Sequence, residues 1–279
     1  MEAGTRSRLL RLCCELPMTS LKWILLSAAG IYVLILIGMY LFQRNLLYFP
    51  HYSKQGEIDH NYSFESGDVT LKGWAINRSA NRALIYFGGN ADRADAHIDW
   101  LSTLFPDHAL YLLNYRGYGN SDGEPTESGI TADAVALYDE ITSQHESISL
   151  IGRSLGSGVA THLAAKREVD QTVLITPYDS IVRVASVHYP LVPVGLLMHD
   201  RWESWKNARN IDSRTLVIYG GEDRTVPPAS TERLIEHFDA SILQTLLIDD
   251  AGHIDIMEST DFTSAVAEFI TEQRGTRLP

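Results

Sequence analysis

The stretch that most limits what this chain can fold into is Gly152-Arg153-Ser154-Leu155-Gly156, which reads G-x-S-x-G. The apolar run Ser147-Ile148-Ser149-Leu150-Ile151 precedes it, and a small-residue amphipathic run, residues 157–165, follows it. That context is strand, sharp turn, helix. A serine at such a turn is held in a strained backbone conformation with its hydroxyl exposed. Glycines are needed on both sides because a Cβ there would strike the neighbouring strand or helix. The pattern is a candidate nucleophile elbow, to be weighed against a glycine-rich turn that merely contains a serine.

The surrounding pattern repeats the same alternation. Residues 61–65 and 69–76 read as an antiparallel pair about Ser66-Gly67-Asp68. Residues 83–87 form a fully apolar strand type that ends in Gly88-Gly89-Asn90 and leads to a helical stretch over 92–104. Further strands are expected at 109–114, 147–151, 171–175, 215–219 and 243–248, with helices near 131–142, after Ser154, and near 230–237 and 262–272. Strands alternating with helices of this length predict an α/β fold with a mostly parallel central sheet covered on both faces. Such sheets collect functional groups where strands end at their carboxyl edge. Three loops there are rich in chemistry: Gly88-Gly89-Asn90, the NYRGYGNSDGEPT stretch at 114–126, and the serine turn itself.

A serine hydroxyl needs a base to take its proton, and the base needs an acid to fix its tautomer. After the 215–219 strand comes Gly220-Gly221-Glu222-Asp223, which puts Asp223 at the sheet edge with Glu222 as the competing acid. After the 243–248 strand comes Asp249-Asp250-Ala251-Gly252-His253, which puts His253 in the next such loop. Asp223 read as a helix cap before Pro227, and His253 as an ordinary loop histidine, are the bland alternatives. An oxyanion hole requires two backbone N–H groups. One is expected from Leu155, and the other from Asn90 or, alternatively, Gly89. The remaining histidines have no comparable context, and no His, Asp or Glu cluster has metal-ligand spacing, so neither a metal nor a cofactor is expected.

Residues 23–42, WILLSAAGIYVLILIGMYLF, form twenty consecutive uncharged residues, long enough to cross a hydrocarbon core of about 30 Å as a helix. Trp23 and Tyr40 lie near its ends, where interface anchors are found. The sequence after Phe42 offers no small-residue cleavage pair, which favours a retained anchor over a signal peptide. Arg6, Arg8, Arg11 and Lys22 precede the span while Arg44 and Lys54 follow it, a bias that places the N-terminus in the cytoplasm and the globular part outside it. Adjacent Cys13 and Cys14 are the chain's only cysteines and supply no disulfide framework; they read as free thiols or as acylation sites beside the span. A net charge of -12 argues against a nucleic-acid partner. The expected organisation is a tail at 1–22, a span at 23–42, a connector at 43–60 and a catalytic domain at 61–279.

Taken together, LLYFP after the span, YFGGNA, NYRGYGNSDGEPTE, GRSLGSG, TPYDS, DRWES, YGGEDRTVP and AGH resemble the α/β-hydrolase superfamily, and within it the membrane-anchored serine hydrolases. The order Ser154, Asp223, His253 is the one expected there. The resemblance implies that Tyr115, Arg116 and Gly117 form the core of a loop packed beside the oxyanion turn. Many relatives carry His-Gly-Asn at that turn, and Gly88 stands here in the histidine's place. It also implies a small cap within 180–206, whose apolar stretch over 189–198 either covers the active site or buries against the domain. The expected activity is hydrolysis of carboxylic esters or thioesters through an acyl-enzyme on Ser154, with lipid esters or acylated proteins as favoured substrates. The rivals are a serine peptidase on the same fold and a non-catalytic binding member.

Overall fold

The computed structural model describes residues 18–53 and 59–272. Cys13, Cys14, Lys54 and the arginines of the N-terminal tail lie outside the described residues. A long helix, α1 (Met18–Leu41), comes first. Its stretch Ser20–Leu41 has a mean hydropathy of 2.4 and buries none of its most apolar window. Twenty-two residues at 1.5 Å each reach about 33 Å, enough to span a bilayer core. The helix is apolar all round, without the polar face of a surface helix.

From Arg44 onward the chain forms a separate unit. Its strands are β1 (Tyr62–Ser66), β2 (Val69–Ile76), β3 (Arg82–Phe87), β4 (His108–Leu113), β5 (Ser147–Arg153), β6 (Gln171–Ile175), β7 (Arg214–Gly220) and β8 (Leu243–Ile248). They build one eight-stranded sheet in the order β1-β2-β4-β3-β5-β6-β7-β8. The β1–β2 and β2–β4 pairs are antiparallel and all others parallel, with Leu84 level with Leu110 on one side and Ser149 on the other. This is the α/β architecture expected from the alternating pattern.

The principal helices of this unit are α2 (Ile98–Leu104), α3 (Glu127–Ile141), α4 (Leu155–Ala164), α5 (Ile181–His188), α6 (Pro228–Ile235) and α7 (Thr260–Thr271). One core joins Ile85, Tyr111 and Leu150 of the sheet to Ile130, Leu137, Val159, Leu163 and Leu234 of α3, α4 and α6. The core on the opposite face joins Leu84, Ile151 and Ile218 to Leu101, Phe262 and Val266 of α2 and α7. Both faces of the central strands are therefore dry, which explains why their sequences run apolar without alternation.

Two differences from the sequence reading have local causes. The helical stretch expected over 92–104 becomes a 3-10 turn, Ala94–His97, followed by α2, because Asp92 bonds back to Gly89 instead of joining a helix. The helix expected from 131 begins at Glu127, since the Thr126 hydroxyl accepts the Gly129 N–H at 3.0 Å and caps it. Residues 44–53 also do more than connect: they form helical turns at Gln43–Leu47 and Pro50–Ser53, and Tyr48 and Ser53 are each only 1% exposed.

Candidate active site

Gly152 and Gly156 make the serine turn possible. A Cβ on Gly152 would lie 2.7 Å from the Ala160 Cβ, and one on Gly156 would overlap the Phe87 carbonyl oxygen. With β5 and α4 packed that closely, the joining residue must turn sharply. Ser154 does so at φ 50, ψ -117, a backbone region that residues with a Cβ rarely occupy. Its N–H is held by the Ile175 carbonyl at 2.9 Å, and its own carbonyl accepts the Ser157 N–H at 2.9 Å. The side chain is thereby presented at the carboxyl edge of the sheet.

The loop after β7 folds back on Asp223. The Asp223 Oδ1 accepts the Thr225 and Val226 N–H groups, both at 2.8 Å, which satisfies that oxygen and leaves Oδ2 directed at His253. His253 meets it through Nδ1 at 2.7 Å, and its Nε2 lies 2.9 Å from the Ser154 Oγ. A carboxylate can only accept, so Nδ1 carries the ring proton and Nε2 of the neutral ring is left to accept from the hydroxyl. Asp223 is buried whereas Glu222 is exposed, so the acid in contact with His253 is Asp223. The three residues lie 30 and 99 positions apart in sequence and form one hydrogen-bonded chain.

Beside Ser154 runs the Gly88-Gly89-Asn90 turn. A Cβ on Gly89 would be 3.6 Å from the Ser154 Cβ, and this fixes how near the turn lies. The Gly89 N–H donates to the Asp92 carboxylate at 3.3 Å. Neither the Asn90 N–H nor the Leu155 N–H donates a hydrogen bond among the described residues. The Asn90 and Leu155 N–H groups are thus without an acceptor among the described residues, whereas the Gly89 N–H has one. Position 88 has little room for the histidine of many relatives: a Cβ there would come within 3.2 Å of Asp92.

Asp92 is the residue that sequence reasoning missed. Its carboxylate receives Tyr86 Oη at 3.2 Å, His97 Nε2 at 2.9 Å and Arg153 Nη1 at 3.3 Å. Burial alone would raise its pKa, but the His97 hydrogen bond and charge, the Arg153 guanidinium and the Gly89 N–H outweigh it and hold the carboxyl down at about 2. Arg153 directly precedes Ser154, so this pair ties the oxyanion turn to the serine turn. The only sequence signal was a charged residue within G-x-S-x-G itself.

The 114–126 loop closes the other side. Tyr115 Oη donates to the Gly88 carbonyl at 2.8 Å, and burial pushes its phenol well above the ordinary range, so it stays a donor. Arg116 holds buried Asp133 through two bonds of 2.8 and 2.7 Å, and Gly117 takes φ 76. The structure thus places this loop beside the Gly88-Gly89-Asn90 turn.

Residues 180–206 carry α5, a short turn at Val194–Leu197 and another at Ser204–Ala208. Of the apolar stretch, Val194 is buried, but Tyr189 is 51% exposed, Leu191 82% and Leu196 86%. Much of it thus faces outward instead of completing the core. The segment is held by Asp179, whose side chain is wholly buried and accepts from Ser230 Oγ at 2.6 Å, from Arg233 Nε at 3.0 Å and from Arg183. Burial opposes that charge, yet the Ser230, Arg183 and Arg233 hydrogen bonds keep the Asp179 pKa below its usual value. His188 adds a contact from α5 to the Asp223 loop, 2.9 Å from the Thr225 carbonyl.

A family model described as the alpha/beta hydrolase fold matches residues 82–196, which include the oxyanion turn and the serine turn. An uncharacterized Mycobacterium tuberculosis protein, Rv2307c, is 30% identical over 283 residues, covering 94% of this chain and 97% of its own length. The chain belongs to the α/β-hydrolase superfamily. Another relative, the uncharacterized membrane protein YNL320W of Saccharomyces cerevisiae, is 26% identical over 74% of this chain and 76% of its own length. Among solved α/β hydrolases, the Pyrococcus furiosus esterase Pf2001 superposes with a TM-score of 0.63 at 18% identity, covering 76% of this chain and 91% of that one. At that identity the likeness is one of fold. Among the described residues there is no group of His, Cys, Asp and Glu suited to a metal ion.

Proposed function

We propose that the protein is a serine hydrolase that cleaves carboxylic esters or thioesters by acyl transfer. The observation that carries this reading is the unbroken chain from Asp223 through His253 to a Ser154 hydroxyl held at φ 50. His253 Nε2 takes the Ser154 proton as Oγ attacks the carbonyl carbon, and the oxygen that becomes negative is received by the Leu155 and Asn90 amides. The carbon–oxygen or carbon–sulfur bond to the leaving group then breaks, and His253 gives its proton to the departing alcohol or thiol. Water repeats the sequence on the acyl-enzyme, releasing the acid and restoring Ser154. Asp223 keeps His253 in the required tautomer and balances its charge.

Lipid-like or acylated substrates fit best. The outward apolar side chains at 187–196 and Ile254, 75% exposed beside His253, offer an acyl chain a surface to lie on. The α1 helix supports attachment to a membrane, as does the likeness to a yeast membrane protein. The basic residues ahead of the span favour a cytoplasmic N-terminus and an extracytoplasmic catalytic unit. The direct test compares wild type with Ser154→Ala on short p-nitrophenyl esters and a fluorophosphonate probe. Both turnover and labelling are expected to vanish; labelling that survives would remove Ser154 as the nucleophile.

A further inference from the structure

The segment that follows α1 reaches into the site from outside. The Asn90 Nδ2 donates to the Leu47 carbonyl at 3.0 Å, and the Asn90 carbonyl accepts the Phe49 N–H at 3.3 Å. The same carbonyl accepts Tyr118 Oη at 2.7 Å. These bonds grip the side chain and carbonyl of Asn90, the residue read above as the second oxyanion donor, and leave its N–H without a partner among the described residues. The segment is itself fixed to two other parts of the site. Ser53 Oγ accepts the Gly119 N–H at 2.8 Å in the 114–126 loop, and buried Tyr48 accepts Trp202 Nε1 at 3.0 Å beyond α5. Arg44 pairs with Asp200 at 3.2 Å in that same region.

A surface connector needs none of this. Loops between elements ordinarily leave their polar groups to water, whereas here ten residues spend backbone and side-chain bonds on the oxyanion turn, the loop beside it and the cap. We propose that residues 47–53 are a positioning element of the active site, which holds the Asn90 amide in place and connects it to the chain immediately after the apolar helix. The proposal rests on the hydrolase reading above, because it takes Asn90 as the second oxyanion donor. An oxyanion donor acts in the transition state far more than in substrate binding, so loosening it lowers kcat and leaves KM nearly unchanged. Removing such a donor outright costs about a hundredfold to a thousandfold; a donor that is present but less well held should cost about tenfold.

The test uses the full chain with Asn90→Ala, which removes the bond to Leu47 but keeps the backbone N–H, and Ser53→Ala, which removes the segment's own bond to the Gly119 N–H. Active sites are titrated to completion with the fluorophosphonate so that misfolded protein does not count. Each variant is expected to lose about tenfold in kcat per titrated site with KM within twofold of wild type. The double variant should fall short of the product of the two, since both act through one amide. Amide hydrogen exchange over residues 88–92 should quicken in both variants. Unchanged kcat per site, a loss carried by KM, or unchanged exchange would each overturn the proposal. A wild type that neither labels nor turns over, with exchange quickened in the variants, would instead strike down the hydrolase reading and with it any catalytic meaning of the tether.

Discussion

At most positions glycine is less stabilising than alanine, because the unfolded chain gains freedom that folding must remove; the difference is about 0.5–1 kcal/mol. Position 154 should reverse that order. Both Ser154→Ala and Ser154→Gly lose the hydroxyl and its bond to His253, so their difference isolates the backbone. At φ 50, ψ -117 the residue occupies the conformation of the first central position of a type II′ turn, where glycine is preferred. Backbone strain of this kind costs about 1–3 kcal/mol in a residue with a Cβ. Subtracting the entropy term leaves Ser154→Gly more stable than Ser154→Ala by up to about 2.5 kcal/mol. For a unit of this size that is a rise of up to about 10 °C in Tm. The measurement is urea unfolding of both full-length variants in one detergent, followed by tryptophan fluorescence. Ser154→Ala more stable than Ser154→Gly by the ordinary margin of about 0.5–1 kcal/mol would refute the claim that the turn stores strain, and with it the reason this serine is presented at the sheet edge.

Three other outcomes follow from the same structure. Burial and the Arg82 charge pull the His108 pKa down from 6.5 to about 4, so the unfolded chain binds a proton there that the folded chain refuses. Stability should therefore fall as pH drops from about 6.5 toward 4, by up to about 3 kcal/mol for this group, and His108→Leu should flatten that slope in denaturant titrations. Leu191→Ser combined with Leu196→Ser removes two outward apolar side chains and should leave the fold intact; kcat/KM for long-chain esters should drop about thirtyfold relative to short ones, from about 1 kcal/mol of lost contact per leucine. A topology reporter fused after residue 279 should be active only on the side of the membrane opposite the N-terminal tail, and activity on the cytoplasmic side would reverse the proposed orientation.

The sequence made legible whatever was written within a few residues. Each strand carried its own apolar run, and the serine, the acid and the base each followed a strand directly, so the path from Ser154 to Asp223 to His253 could be anticipated. What stayed hidden lay in contacts across long sequence separations. Tyr48 and Trp202 meet over 154 positions, and Asp92 and Arg153 over 61, with nothing in the spacing of either pair to announce them. The sequence put Asn90 ahead of Gly89 as the second donor, but could not show that the Gly89 N–H spends its bond on the Asp92 carboxylate. Residues 43–60 read as a connector because of Pro50 and the polar run after it, yet buried Tyr48 and Ser53 make the part before residue 54 belong to the packed unit.

The buried charge of Asp179 has a consequence for the order in which the protein matures. Its partners Ser230 and Arg233 lie 51 and 54 positions further along the chain. While synthesis has reached only the cap, that carboxylate has Arg183 alone and gains by remaining in water. Seating of residues 180–206 is therefore expected to follow the synthesis of α6, which delivers the second guanidinium. A ribosome-bound chain that ends before α6 is thus expected to carry its serine turn with residues 180–206 still unseated, and His253, further along again, is the last member of the site to arrive.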